Sequence, residues 1–108
     1  MTKYEKLTCD LTIAVEKAKE KAYLTNDGGT CNFDSCLLFL PNANEKKVCE
    51  CATKAGIRVF KDRAFGKPCF FLSVPIASQG NRRTEQAEVM QKILANNGYE
   101  TTMWYQMD

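Results

Sequence analysis

The chain has 108 residues, which is the length of one domain and too short for two. Hydrophobic residues make up 44% of it and charged residues 26%, so the composition is globular and favours neither disorder nor a membrane span. The 15 basic and 13 acidic side chains leave a formal charge of +2, which is too small to indicate a nucleic-acid partner by itself.

The first residues of the sequence and its cysteines indicate the compartment in which the protein is found. Residues 1–6 are polar and charged, and no apolar run resembles a secretory signal or a membrane span. We therefore expect a cytoplasmic protein with no membrane partner. In that setting the six cysteines are interpreted as thiols rather than as disulfides. Cys36, Cys51 and Cys69 lie in apolar-periodic segments, where a free cysteine packs as a small hydrophobic side chain.

The first predicted element is an amphipathic helix over residues 8–24. Its apolar residues recur at three- and four-residue spacing: Leu7, Leu11, Ala14, Val15, Ala18 and Ala22. The cluster Asn26-Asp27-Gly28-Gly29 then breaks the chain, because Asp-Gly and Gly-Gly readily adopt positive φ. A loop leads from there to residue 34.

Residues 35–108 alternate between strand and helix patterns. Strands are predicted at 36–40, 57–63, 69–74 and 101–107, with a turn at 65–68 between the second and third. Helices are predicted from an asparagine cap at Asn42 or Asn44 to Gly56, and over 84–97. This order favours a ferredoxin-like βαββαβ sandwich, in which both helices cover one face of a four-stranded antiparallel sheet. We predict a single α+β domain, with residues 1–34 as an N-terminal addition to that unit.

Strand alternation predicts an aromatic surface on the sheet face away from those two helices. Phe39, Phe60, Phe71 and Trp104 are placed on this face, and Leu38, Leu40, Phe70, Leu72 and Val74 are placed toward the helices. Arg58 and Lys67 are expected beside the aromatic rings. The aromatic face and the apolar stripe of the N-terminal helix both need cover, so we expect that helix to pack over the rings and form a second small core.

Two segments resemble the RNA-recognition motif. Leu38-Phe39-Leu40-Pro41-Asn42-Ala43 is similar to the family's first-strand pattern, and residues 67–74 are similar to its third-strand pattern, with Pro68 and Cys69 as departures. The resemblance implies that Phe39 and Phe71 stack on bases and that Lys67 holds a phosphate. A single-stranded nucleic-acid binder that uses Phe39, Arg58, Phe60, Lys67 and Phe71 is therefore one hypothesis.

The leading hypothesis places function in two polar loops. The loop at 78–83 contains two arginines and opens a helix, where free backbone N–H groups attract anions. Polar loops on a rigid sheet often carry binding residues. We predict a non-enzymatic binding module whose contact residues are Asn26, Asp27, Asn32, Asp34, Gln79, Asn81, Arg82 and Arg83. Its partner would be a protein or nucleoprotein, and a homodimer is left open.

Three short segments also resemble small accessory proteins of bacteriophages and mobile elements. They are residues 28–35, the Gln79-Gly80-Asn81 loop, and the ending Tyr105-Gln106-Met107-Asp108. The resemblance implies an accessory protein that contacts a host component.

The sequence offers little for catalysis or for metal binding. The chain has no histidine, so it lacks the commonest general acid-base residue, and its cysteines are poorly spaced for zinc. We predict no cofactor, no metal and no enzymatic activity. One alternative remains, in which Cys31 acts as a nucleophile or redox thiol activated by a nearby lysine.

Overall fold

Three helices and a four-stranded antiparallel sheet form the protein, which is an α+β domain. The computed structural model describes all residues from Met1 to Asp108. In chain order the elements are α1 (Lys3–Leu24), β1 (Ser35–Phe39), α2 (Glu45–Ala55), β2 (Val59–Ala64), β3 (Lys67–Leu72), α3 (Asn81–Asn96) and β4 (Glu100–Trp104). All the predicted elements are present, with ends that differ from the prediction by a few residues.

The strands lie in the order β2-β3-β1-β4, and each neighbouring pair is antiparallel. β2 and β3 form the predicted hairpin, in which Phe60 pairs with Phe71. β1 lies between β3 and β4, with Leu37 opposite Phe71 on one side and opposite Thr102 on the other. β1 therefore has a hydrogen-bonded strand on each side, and every one of its residues is buried.

The helix ends follow from local chemistry. α1 begins at Lys3 because Thr2 and Glu5 form a capping box, in which each side chain accepts a hydrogen bond from the other residue's backbone N–H. The predicted start at residue 8 is therefore too late, although the Thr-x-x-Glu spacing is readable in the sequence. α2 has the predicted caps: the Asn44 side chain accepts a hydrogen bond from the Lys47 N–H, and Gly56 ends the helix at a φ of 97°.

The main hydrophobic core lies on one side of the sheet. It combines inward residues of the strands, such as Leu38, Phe70 and Leu72, with residues of all three helices. The predicted apolar stripe of α1 is fully buried, and α1 packs against α3 and α2. The expectation that this helix covers the aromatic face is wrong, because its stripe belongs to the core on the helical side. Ala14 and Ala18 allow the close approach that helix against helix requires.

A smaller cluster lies on the opposite side of the sheet. It contains Leu37, Phe39, Ala64, Cys69 and Phe71, with Trp104 packed against it. The predicted division between the two faces is confirmed for Leu38, Leu40, Phe70 and Leu72 on the helical side and for Phe39, Phe60, Phe71 and Trp104 on the other. Val74 lies beyond the end of β3 and is part of neither cluster. None of the three helices is long and apolar enough to cross a membrane.

Candidate functional site

The candidate site is the sheet face that no helix covers, which we call the open face. Strand register and alternation place twelve strand residues on it: Ser35, Leu37, Phe39, Phe60, Asp62, Ala64, Lys67, Cys69, Phe71, Glu100, Thr102 and Trp104. Leu37, Phe39 and Phe71 are buried within the small cluster. The open face therefore has a packed centre surrounded by more exposed side chains.

The exposed rings differ from those that the family resemblance implies. Phe39 and Phe71 are 7% and 8% exposed, so neither ring offers a free surface to a base. Phe60 is 59% exposed and stacks on Phe71 with ring centroids 5.0 Å apart and an interplanar angle of 11°. Of the four aromatic residues predicted on this face, Phe60 alone presents a large exposed surface. The buried Phe71 ring covers one side of it.

Phe65 is an exposed ring on this face that sequence reasoning treated only as part of a turn. It is 65% exposed, and its ring packs edge-to-face on Trp104 at a centroid distance of 5.7 Å. Phe65 and Gly66 have φ of 53° and 77°, which is the type I′ geometry of a two-residue hairpin loop. In the sequence, the Phe-Gly pair between two predicted strands is the signal that could have identified this turn and its exposed ring.

Cationic side chains lie at both ends of the open face. At one end the Lys67 ammonium lies 4.7 Å from the centre of the Phe39 ring and forms an ion pair with Glu100. Lys67 also lines a cavity of about 260 Å³ at that end. Lys61 lines the same cavity, but it pairs with the inward-facing Phe70 and so lies on the helical side of the sheet. At the other end Arg58 is exposed, and its backbone N–H donates to Ser73 Oγ at 2.9 Å. Lys67 therefore places positive charge beside a ring at one end of the face, and Arg58 is an exposed cation at the other.

A second cavity of about 280 Å³ opens at the Arg58 end of the face. Its walls are mainly aromatic and its polar groups are one arginine, one serine and one glutamine; the lining residues are Phe33, Ser35, Phe60, Phe71, Arg83, Trp104 and Gln106. Arg83 Nε donates to the Asp34 carbonyl at 2.9 Å, and this contact fixes the guanidinium beside the cavity. Arg83 therefore lies at the edge of the open face, although sequence reasoning placed it only in a loop.

The two polar loops contact each other rather than standing apart. Asp27 Oδ1 accepts hydrogen bonds from the backbone N–H groups of Gln79 and Gly80, at 3.3 and 3.0 Å. The Asn81 N–H donates to the Gly28 carbonyl at 2.8 Å. A Cβ added to Gly80 would lie 2.3 Å from that carbonyl oxygen, so only glycine fits. The N-terminus of α3, predicted to attract an external anion, is thus occupied by the chain's own carboxylate and carbonyl groups.

The other predicted loop residues also form internal contacts. Asn32 Nδ2 donates to Thr84 Oγ1, and Arg82 Nε donates to the Thr25 carbonyl. Asn26 Oδ1 accepts from the Gly28 N–H, and Gln79 Oε1 accepts from the Cys31 thiol. The structure therefore brings the predicted loop set together, with many of its polar groups bonded to each other. Their role in binding a partner stays a prediction.

The cysteines are all free, and three of them are buried as predicted: Cys36, Cys51 and Cys69. Burial raises the pKa of the Cys36 thiol to about 12, with a smaller opposing effect from its contact with Thr101. Cys31 is exposed, and its thiol donates a hydrogen bond to Gln79 Oε1 at 3.7 Å rather than interacting with a lysine. No three His, Cys, Asp or Glu side chains converge where they could hold a metal ion.

Comparisons with protein-family models, with curated proteins and with solved structures each gave no match to this chain. The sequence resemblances to RNA-recognition motifs and to phage accessory proteins therefore stay predictions.

Proposed function

We propose that this protein is a single-stranded nucleic-acid-binding module and that the open face is its binding surface. The observation that carries the proposal is a bare sheet face on which Phe60 and Phe65 are more than half exposed while α1 packs on the other side. Stacking on aromatic side chains suits every base, because each base has a π-face. The two exposed rings are linked by ring contacts through Phe71 and Trp104, and contiguous apolar surface left uncovered on a folded domain indicates a binding role.

The strand order supports assigning the domain to the ferredoxin-like class. The βαββαβ order of residues 35–104 and the sheet order β2-β3-β1-β4 are those expected when two split βαβ units interlock. On this assignment α1 is an addition to the outer side of the helical layer. That addition leaves the open face free, which is what the proposed function requires.

The charges favour nucleic acid over an apolar peptide as the occupant. Arg83 lines the aromatic cavity at one end of the face, and the Lys67 ammonium lies over the Phe39 ring at the other. Proteins that bind single strands without strong sequence preference combine such cations with stacking rings. Of the carboxylates on the face, Glu100 is already paired with Lys67. A phosphate chain that crosses the rings would thus meet cations on both sides.

Ring-directed variants test the proposal. Phe60→Ala removes one exposed ring, and Phe65→Asn removes the other while placing the Asn-Gly pair that type I′ turns prefer. Each variant should weaken binding of fluorescein-labelled single-stranded RNA and DNA by roughly 5- to 150-fold, since one stacked base contributes about 1–3 kcal/mol. Fluorescence anisotropy at several salt concentrations measures the affinity, and affinity should fall as salt rises.

Tyr23→Ala is the matched control, because Tyr23 is 77% exposed on α1, away from the open face. It should leave the affinity unchanged. Absence of salt-dependent binding, or an equal loss in the Tyr23 variant, would overturn the proposal. Contact with a host component through the loops, and thiol chemistry at Cys31, stay predictions, because no geometry specific to either is present.

A further inference from the structure

The cavity beside Arg83 has the size and shape for one flat ring system. Its volume of about 280 Å³ is below the roughly 300–1,000 Å³ typical of sites that enclose drug-sized ligands. Phe60, Phe71 and Trp104 supply aromatic walls, and the Trp104 and Phe71 rings meet edge-to-face at 69°. Phe33 is 48% exposed at the border of the cavity. A nucleobase is the part of a single strand that fits such walls.

The unused polar groups of this cavity are N–H donors. An arginine has five N–H donors. Arg83 uses Nε for the Asp34 carbonyl, and one terminal nitrogen lies 3.4 Å from Ser35 Oγ, so further donors remain. Gln106 Oε1 accepts from the Trp104 indole N–H at 2.9 Å, which leaves the Gln106 amide N–H₂ group as a donor. Ser35 Oγ itself donates to the Phe33 carbonyl.

Acceptor groups on the ligand must match these donors. No Asp or Glu lines the cavity, and its two side-chain oxygens, Gln106 Oε1 and Ser35 Oγ, already accept hydrogen bonds from Trp104 and Arg83. The cavity therefore favours a ligand that presents acceptors. Guanine carries two adjacent acceptors, O6 and N7, on one edge, and arginine is their commonest partner. Adenine and cytosine each place an amino donor on the corresponding edge, which would face the donors of Arg83 and Gln106.

We propose that this cavity is a guanine-selective subsite of the open face, with Arg83 and Gln106 directed at the acceptor edge of the base and Phe60 beneath its ring. The inference rests on the proposed nucleic-acid binding. Arg83 is suited to this role because its contact with the Asp34 carbonyl fixes the guanidinium before a ligand arrives. A guanidinium group that is already held in place loses less conformational freedom on binding than a mobile one.

The test uses four single-stranded oligouridine RNAs of equal length with a central guanine, adenine, cytosine or uracil. Competition anisotropy should show the guanine RNA binding roughly 5- to 150-fold more tightly, because one good bidentate contact discriminates by about 1–3 kcal/mol. A fifth RNA with 7-deazaguanine at the centre keeps the ring but lacks the N7 acceptor. It should lose most of that preference, and this result does not depend on any protein variant folding.

Two protein variants test the roles of Arg83 and Gln106 in the guanine preference. Arg83→Lys keeps the charge but lacks the planar fork, so it should weaken binding of the guanine RNA more than binding of the all-uracil RNA and thereby abolish the guanine preference. Gln106→Glu replaces the amide donor with an acceptor and should reduce the preference. Equal affinity for all four RNAs, or a preference that survives in the 7-deazaguanine RNA, would overturn the guanine subsite and leave the proposed function intact. Failure of every RNA to bind would overturn both.

Discussion

Asp34 is a buried carboxylate immediately before β1, and both of its oxygens accept hydrogen bonds. It is 7% exposed, and its side chain binds the Gln106 N–H at 2.8 Å and the Thr84 hydroxyl at 2.7 Å. These contacts attach the C-terminal residues and the start of α3 to the strand that carries the centre of the open face. The carboxylate therefore acts as a structural link between three segments.

Replacing this carboxylate should destabilise the fold. Asp34→Ala leaves the Gln106 N–H and the Thr84 hydroxyl without their partner, and the free energy of unfolding should fall by about 1–3 kcal/mol. Urea denaturation at pH 7 measures the change. Asp62→Ala is the control, because Asp62 is exposed on β2, and its effect should stay within about 0.5 kcal/mol. Equal effects of the two substitutions would contradict the assigned role of Asp34.

At the scale of single residues, the sequence revealed the polar loops but not their mutual contacts. Asp27 and Gly80 are separated by 53 residues, and a hydrogen bond across that distance leaves no local pattern. The same limit applies to the rings. Alternation correctly placed Phe39, Phe60 and Phe71 on one face, but it carries no information on which ring lies beneath another. Burial of Phe39 and Phe71 depends on Lys67, Trp104 and the packing of the hairpin.

At the scale of elements, a cluster of polar side chains forms hydrogen bonds between α1 and the turn that connects α3 to β4. Asp10 accepts hydrogen bonds from the Tyr99 hydroxyl and from Lys6 Nζ, both at 2.7 Å, and Lys6 also donates to the Asn97 carbonyl. Burial opposes ionisation of Asp10, but the hydrogen bonds from Lys6 and Tyr99 outweigh it and lower the pKa of the carboxyl below its usual value. The ionised form is therefore the one that stabilises the folded state.

The contribution of this cluster should depend on pH. A lowered folded-state pKa gives stability above the ordinary aspartate pKa of about 3.9, and that stability is lost as the pH falls through the lowered value. Tyr99→Phe should reduce the free energy of unfolding by about 1–2 kcal/mol at pH 7. The difference from the unaltered protein should shrink progressively as the pH falls below about 4.

Tyr4→Phe provides the comparison for this prediction. The Tyr4 hydroxyl, also on α1, accepts from the Asn44 backbone N–H at 2.8 Å, and this hydrogen bond involves no carboxylate. Its effect should not vary between pH 7 and pH 3. Urea denaturation across that range measures both variants. A Tyr99→Phe effect that stays constant with pH would show that ionised Asp10 is not the source.

Helical periodicity identified the buried stripe of α1 but not the surface it covers. An amphipathic pattern specifies the helix's own apolar side only, and both faces of the sheet offered apolar partners. The small residues Ala14, Ala18 and Ala22 were a usable signal, because closely packed helices need small side chains at their contact.

In the hairpin, Pro68 was predicted to be part of the turn, but it lies in β3. Its position is beyond the β3 residues that pair with β1, so the missing backbone N–H is tolerated there.

At the scale of the whole molecule, the α+β architecture was predictable because each element has a clear local pattern and the connections are short. The antiparallel four-stranded sheet follows from the element order, and the two-sided division of side chains follows from alternation. The position of α1 was not predictable from those rules, and it decides which face is free. The candidate site consequently moves from the loops, where the sequence placed it first, to the open face.

The most direct test of the binding role maps the contact surface by NMR. The chain has one tryptophan, so Trp104 gives one indole N–H resonance on the open face. Titration of isotope-labelled protein with single-stranded RNA should shift that resonance and the backbone signals of Phe60, Phe65 and Lys67, with α1 signals unchanged. Shifts confined to α1 or to the loops at 26–34 and 78–83, with the Trp104 signal unmoved, would contradict the open face as the binding surface.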